Sequence, residues 1–208
     1  MNYKHPLILT LLLLSFGCAP ISDKKYSNDF VSETAHQEIL EAKTAHDNAQ
    51  YNLSISKLDK ILKDHAGTLS QYQLSQIYLL QASANSSLGD IDKSVESYEK
   101  ISQLKDIPPS LRNMALDTIA NVYFTKYQYE EVILALNQRD NSISPMALEE
   151  QKILAWSYHE QGDSCRALEI LNSLKTNSPK VESDYFTSID SLARQIQYQS
   201  HALADCGS

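Results

Sequence analysis

The sequence predicts an all-α fold assembled from successive helix pairs, and three observations carry that expectation. Only five Gly and six Pro stand among 208 residues, too few for the many tight turns of an all-β chain. Leu, Ala, Gln, Glu and Lys, which lose little conformational freedom in helices, abound. Apolar residues recur three and four apart through most of the chain, and four such stretches can be laid over one another. With 42% hydrophobic and 21% charged residues, the composition is that of one ordinary globular domain of moderate size.

The first element is an address rather than structure. Met1 to Ala19 reads MNYKHPLILTLLLLSFGCA: Lys4 and His5 precede an apolar run from Leu7 to Phe16, followed by Gly17 and Cys18. Spanning a bilayer takes about 20 apolar residues, so a run of roughly half that length suits a signal-peptide core. A small residue followed by Cys at the end of that run resembles the lipobox of bacterial lipoproteins. That resemblance implies cleavage after residue 17, diacylation of the Cys18 sulfur and acylation of the new N-terminus. Ser15 and Phe16 depart from the family pattern, which has Leu three residues before the Cys and a small residue after it; Leu14 lies one residue early. The other reading is an ordinary secretory signal with an unmodified Cys18. Ala19 after the Cys implies, by the enterobacterial sorting rule, the periplasmic face of the outer membrane. Residues 18–33, including ISDKKYSNDFVS, are polar and without sustained periodicity, as a flexible tether is.

Four aligned stretches fill residues 34–180. The second copy places Ala82, Gly89, Ser94, Tyr98 and Ile101 on a ladder that the fourth repeats with Ala155, Gly162, Ala167, Leu171 and Leu174, adding Tyr158 and Pro179. The third supplies Ala120, Tyr123, Tyr129, Val132 and Leu136, with Tyr127 in place of the turn glycine. The first supplies Ala42, Ala45, Tyr51, Ser54, Leu58 and Ile61. Anchors at Ala42, Ala82, Ala120 and Ala155 are 40, 38 and 35 residues apart. Small residues belong where the two helices of a unit cross, and large apolar ones fill the space towards the next unit. Gly89-Asp90 and Gly162-Asp163 read as turns in which Gly ends one helix left-handed and Asp caps the next. Pro145 after Ser144 reads as the start of a helix.

This ladder resembles the tetratricopeptide repeat, a helix-turn-helix unit of about 34 residues. The resemblance implies a right-handed α-solenoid of about four units. Residues 181–208, with Tyr185, Ile189, Leu192 and Ile196 at helical spacing, are then a capping helix and tail that cover the last apolar face. A non-repeating helical bundle is the alternative. In the family, first helices line a concave groove that takes peptides or helices of partners. By that resemblance Leu79, Ser83, Asn121, Phe124, Lys152, Trp156 and His159 are candidates to face it, with Trp156 foremost because a large ring gives binding energy at low entropic cost. The alternative is that Trp156 and Phe124 only pack between helices. The Lys and Asn set with which chaperone-binding members clamp a C-terminal carboxylate is not reproduced.

Lipidation would consume one of three cysteines, leaving Cys165 and Cys206. Cys165 opens the second helix of the fourth unit, and Cys206 follows the capping helix, which should run antiparallel to it. A disulfide between them is expected in an oxidising periplasm; the alternative is two free thiols. His36, His46, His65, His159 and His201 are scattered, without His-Glu-x-x-His or Cys-x-x-Cys, so no metal site is expected. Glycine-rich phosphate loops and nucleophile elbows are absent, so neither a cofactor nor catalysis is expected.

The formal charge of −8 becomes −9 once the first seventeen residues, whose only such charge is Lys4, are removed. A net acidic chain is a poor ligand for phosphate backbones, which excludes nucleic acid as an expected partner. The expected role is a lipid-anchored adaptor that holds another envelope protein. Two alternatives are a pilotin-like assembly factor for a pilus or secretion-system secretin, and a periplasmic hydrolase on a helical scaffold.

Overall fold

A computed structural model of the protein describes residues 33–177 and 183–200. The signal segment, Cys18, the tether up to residue 32, Pro179, the tail and Cys206 lie outside the described residues. Among the described residues there are nine helices and no strand: α1 (Glu33–Asp47), α2 (Tyr51–Asp64), α3 (Gln71–Ser87), α4 (Ile91–Gln103), α5 (Pro109–Thr125), α6 (Tyr129–Asn137), α7 (Leu148–Glu160), α8 (Ser164–Asn177) and α9 (Ser183–Ser200). None of the described helices is long and apolar enough to cross a membrane.

Each helix packs chiefly on its neighbours in sequence, and α1 also meets α3 as α5 meets α7. The core is correspondingly divided along the chain: one cluster around Ile39, Leu58 and Ile77, one around Ile101 and Ile107, and one from Val95 to Ile196. This is the nearest-neighbour arrangement of a solenoid, in which no unit buries its apolar face alone.

Four turns join the helices of the four pairs, and all four close in one way. The amides of Gln50, Asp90, Gln128 and Asp163 donate to the carbonyls of Ala45, Asn85, Tyr123 and Tyr158 at 2.9, 2.9, 3.0 and 2.8 Å. This six-to-one bond defines the Schellman motif and needs a left-handed residue just before the donor. Gly89 and Gly162 supply it at φ 81° and 87°, as the sequence suggests. Ala49 and Tyr127 adopt the same conformation at φ 57° and 60°, without a glycine's freedom. The next residue differs too: Asp90 and Asp163 cap by accepting from the amides of Lys93 and Arg166, at 3.4 and 3.0 Å. Gln50 and Gln128 make no side-chain cap bond.

The anchor alanines are fully buried at the crossings: Ala42, Ala82, Ala120 and Ala155 all have 0% exposure. Opposite them lie Ser54, Ser94, Val132 and Ala167, also buried. Elsewhere the helix signals are local: Ser70 and Gln73 form a reciprocal capping box at α3, and Pro109 occupies the first turn of α5.

Pro145 does not start a helix, contrary to the sequence expectation. The helix α7 begins only at Leu148, and Ala147, extended at φ −66° and ψ 165°, is its N-cap. The connection is held from below instead. Arg139, with 3% side-chain exposure, pairs its Nε with Asp117 Oδ1 at 2.6 Å and donates to Ser144 O at 3.3 Å. Asn113 Nδ2 donates to Asp140 O at 2.9 Å, and Asn113 Oδ1 accepts from the Asp140 amide at 3.0 Å. Burial raises the Asp117 carboxyl pKa, and the Arg139 charge works against that rise.

Candidate functional site

The candidate residues stand on α3, α5 and α7, the first helices of three successive units. Leu79 is half-buried against the cluster of Ile101, Ile107 and Ala115. Ser83 is half-buried, and its Oγ lies 2.8 Å from His46 Nε2 on α1. Asn121 is exposed and donates back to Asp117 O on its own helix at 2.8 Å. Lys152 reaches Glu149, one turn earlier, at 3.0 Å. His159 Nδ1 lies 2.9 Å from Ser164 Oγ, across the turn from α7 to α8.

Phe124, Trp156 and His159 come together, and two rings that the groove assignment left out join them. Phe124 meets Tyr129 edge-on at 6.0 Å between centroids, Tyr127 meets Tyr129 at 6.4 Å, and Trp156 meets His159 at 5.5 Å. Burial raises the Tyr129 phenol pKa, and hydrogen bonding from Trp156 works against that rise. Phe124 and Trp156 are half-buried on the core and keep part of each ring in solvent. Tyr127 is 73% exposed.

Tyr127 brings its ring to this place because it fills the turn position that glycine fills in the even units, and the left-handed backbone turns its side chain outwards. Next to this surface, Tyr123 donates to Glu99 Oε1 at 2.6 Å. That bond, with burial behind it, raises the Tyr123 pKa to about 12. Trp156 and Lys152 share one face of α7, being four residues apart. The opposite flank of α7, Gln151 and Leu154, lines a separate cavity of about 440 Å³ with Pro145, Met146, Glu169 and Ile170.

Three other features bear on the functional alternatives. Among the described residues no group of three or more His, Cys, Asp or Glu side chains is placed to hold a metal ion. Ser83, His46 and Asp47 are near one another, with His46 Nδ1 3.6 Å from Asp47 Oδ1. Asp47 is committed to Lys43 at 2.5 Å, and Ser83 lies well inside α3, where backbone amides bond to the preceding turn rather than facing a developing oxyanion. The pair therefore reads as a fastening of α1 to α3. Cys165, half-buried in the first turn of α8, is engaged rather than a free thiol. Its expected partner Cys206 lies outside the described residues, so that pairing stays an expectation.

No protein-family model and no curated protein matches the chain. Among solved structures it is similar to a crystal structure of a Podosopora anserina putative kinesin light chain with nearly identical TPR-like repeats. The TM-score is 0.53 at 18% identity, covering 83% of this chain and 90% of that one. A crystal structure of a point variant of the same protein matches equally, covering 83% of this chain and 89% of that one. At such identity the likeness speaks for the fold alone: this chain is a TPR-like α-solenoid.

Proposed function

We propose that the protein is a non-catalytic adaptor of the bacterial envelope. Lipid on Cys18 holds it to the periplasmic face of the outer membrane, and the first-helix face of its repeats receives a segment of another envelope protein. The observation that carries this reading is the partial exposure of Phe124 and Trp156 on adjacent first helices. Both rings pack on the core yet neither is fully buried, which leaves an apolar edge on each of two neighbouring first helices for a partner to cover. The lipid anchor is supported by the N-terminal sequence: each buried methylene adds about 0.8 kcal/mol to membrane affinity, so several acyl chains retain a protein almost permanently.

The test is affinity capture from detergent-solubilised envelopes with the full chain. Cys18→Ser should move the protein out of the membrane fraction. Trp156→Ala should weaken partner capture by roughly 30-fold or more, the effect of losing a central aromatic anchor, while far-ultraviolet circular dichroism stays unchanged. Capture and helicity both untouched by Trp156→Ala would end the groove assignment.

A further inference from the structure

Phe124, Tyr127 and Tyr129, in edge-on contact, and Trp156 on the next first helix form an aromatic rim where α5, α6 and α7 meet, and its surroundings are acidic. Glu130 and Glu131 directly follow Tyr129 in the first turn of α6. Glu160 stands four residues after Trp156, on the same face of α7. Glu130 and Glu160 are exposed and Glu131 is half-buried, and none of the three forms an ion pair among the described residues. Two nearby lysines are already committed, Lys126 to Asp92 and Lys152 to Glu149. Glu160 even occupies the last turn of its helix, where the backbone dipole favours cations over carboxylates.

Elsewhere the chain covers tyrosine faces with its own cations. Arg166 sits 4.7 Å from the centroid of Tyr158, and Lys100 sits 5.4 Å from that of Tyr78. Among the described residues no such cation lies over Tyr127, Tyr129, Phe124 or Trp156. Tyr127 is exposed and the other three rings are partly so, and ring surface beside a surplus of carboxylate attracts a cation through both the ring quadrupole and the charge. A second copy of this chain, itself at −8, has the wrong overall sign to supply it.

We propose that this rim docks a lysine- or arginine-bearing extended segment of a partner protein, its cationic groups lying on the rings and facing Glu130, Glu131 and Glu160. The inference rests on the adaptor reading and narrows it to the chemistry of the partner.

Trp156 is the single tryptophan of the chain, so its fluorescence reports on the rim directly. The full-length protein in detergent is titrated at low salt with three ten-residue peptides: alternating Lys and Ser, alternating Glu and Ser, and alternating Gly and Ser. The expected result is a saturable change in Trp156 emission with the lysine peptide alone, fading as salt rises. Tyr127→Ala and Glu160→Gln, both at exposed positions, should each weaken that binding about two- to fivefold. An equal response to the glutamate peptide, or an unchanged affinity in both variants, overturns the inference. The adaptor reading fails separately. Envelope capture lost with Trp156→Ala but kept by Tyr127→Ala and Glu160→Gln would spare the adaptor and remove the basic segment; lysine-peptide binding that both variants weaken, without any envelope capture, would do the reverse.

Discussion

The amide of Gln128 donates to the carbonyl of Tyr123 at 3.0 Å, and so closes around Tyr127 the same turn that Asp163 and Tyr158 close around a glycine. A residue with a Cβ held left-handed costs of order 1–3 kcal/mol, and glycine gives back part of that relief in lost chain entropy. Ala49→Gly and Tyr127→Gly are therefore expected to stabilise the fold by roughly 0.5–1 kcal/mol each, raising Tm by about 2–4 °C per kcal/mol. In Tyr127→Gly that gain should accompany weaker peptide binding, which separates the turn from the ring. The converse change, Gly162→Ala, meets nothing within 4 Å of the added Cβ. Its cost, about 1 kcal/mol, is conformational only. Thermal melting of the three variants checks the set, and a Gly162→Ala protein as stable as the parent would remove the argument.

Ser54 donates its hydroxyl to the carbonyl of Ala42 at 2.9 Å, both residues being wholly buried where α1 and α2 cross. Ser54→Ala loses one internal hydrogen bond but keeps the volume, so about 1 kcal/mol is expected. Ser54→Leu forces extra methylenes between two touching backbones and should cost more, about 1–3 kcal/mol by overpacking. In a solenoid the damage stays near its source. Hydrogen exchange should therefore speed up in α1 and α2 well before α7 and α8. Uniform acceleration along the chain would mean that the units do not open independently.

The crossings and the even turns were legible because each depends on residues close in sequence: a small side chain, a glycine and an aspartate at fixed offsets. The odd turns were harder to read, since Tyr127 and Ala49 take up the glycine's backbone shape under the pull of packing on either side. Pro145 misled for a related reason. Its local preference yields to bonds between the connection and α5, Arg139 of the connection to Asp117 and Asn113 of α5 to Asp140, which leave no periodic trace in the sequence. Trp156, Phe124 and His159 are candidates through the repeat register, whereas the rings of Tyr127 and Tyr129 join the candidate site only through tertiary contact. Residues opposite one another across three helices have no common spacing to announce them.

Acid should weaken the second unit through its turn. Hydrogen bonding from the Lys93 side chain, then from its amide, holds the Asp90 carboxyl below its ordinary value of 3.8. A carboxyl depressed in the folded state contributes stability that is present above 3.8 and is lost as pH falls through the lower folded value. Asp90→Asn keeps a capping oxygen but removes the charge. The stability gap between parent and Asp90→Asn, measured by urea unfolding, should thus be open at neutral pH and should close as pH falls below 3.8 through the lower folded value. A gap independent of pH would assign the cap to geometry alone.

The last helix offers the strongest check on how the stack ends. Lys175, near the C-terminal end of α8, pairs with Asp190 in the N-terminal half of α9. The two helices therefore run antiparallel, and the far end of α9 returns towards the first turn of α8, where Cys165 lies. Under the chain-entropy account, a Cys165–Cys206 bond closing a loop of about forty residues stabilises by roughly 4 kcal/mol. Denatured, unreduced mature protein should accordingly show no titratable thiol if Cys18 is acylated, and two after reduction. Cys206→Ser should lower Tm and expose α9 to proteolysis first, because a cap docked on one neighbour has nothing beyond it to hold. Two thiols titrating before any reductant is added would show that the last helix is held by packing and the Lys175 ion pair alone.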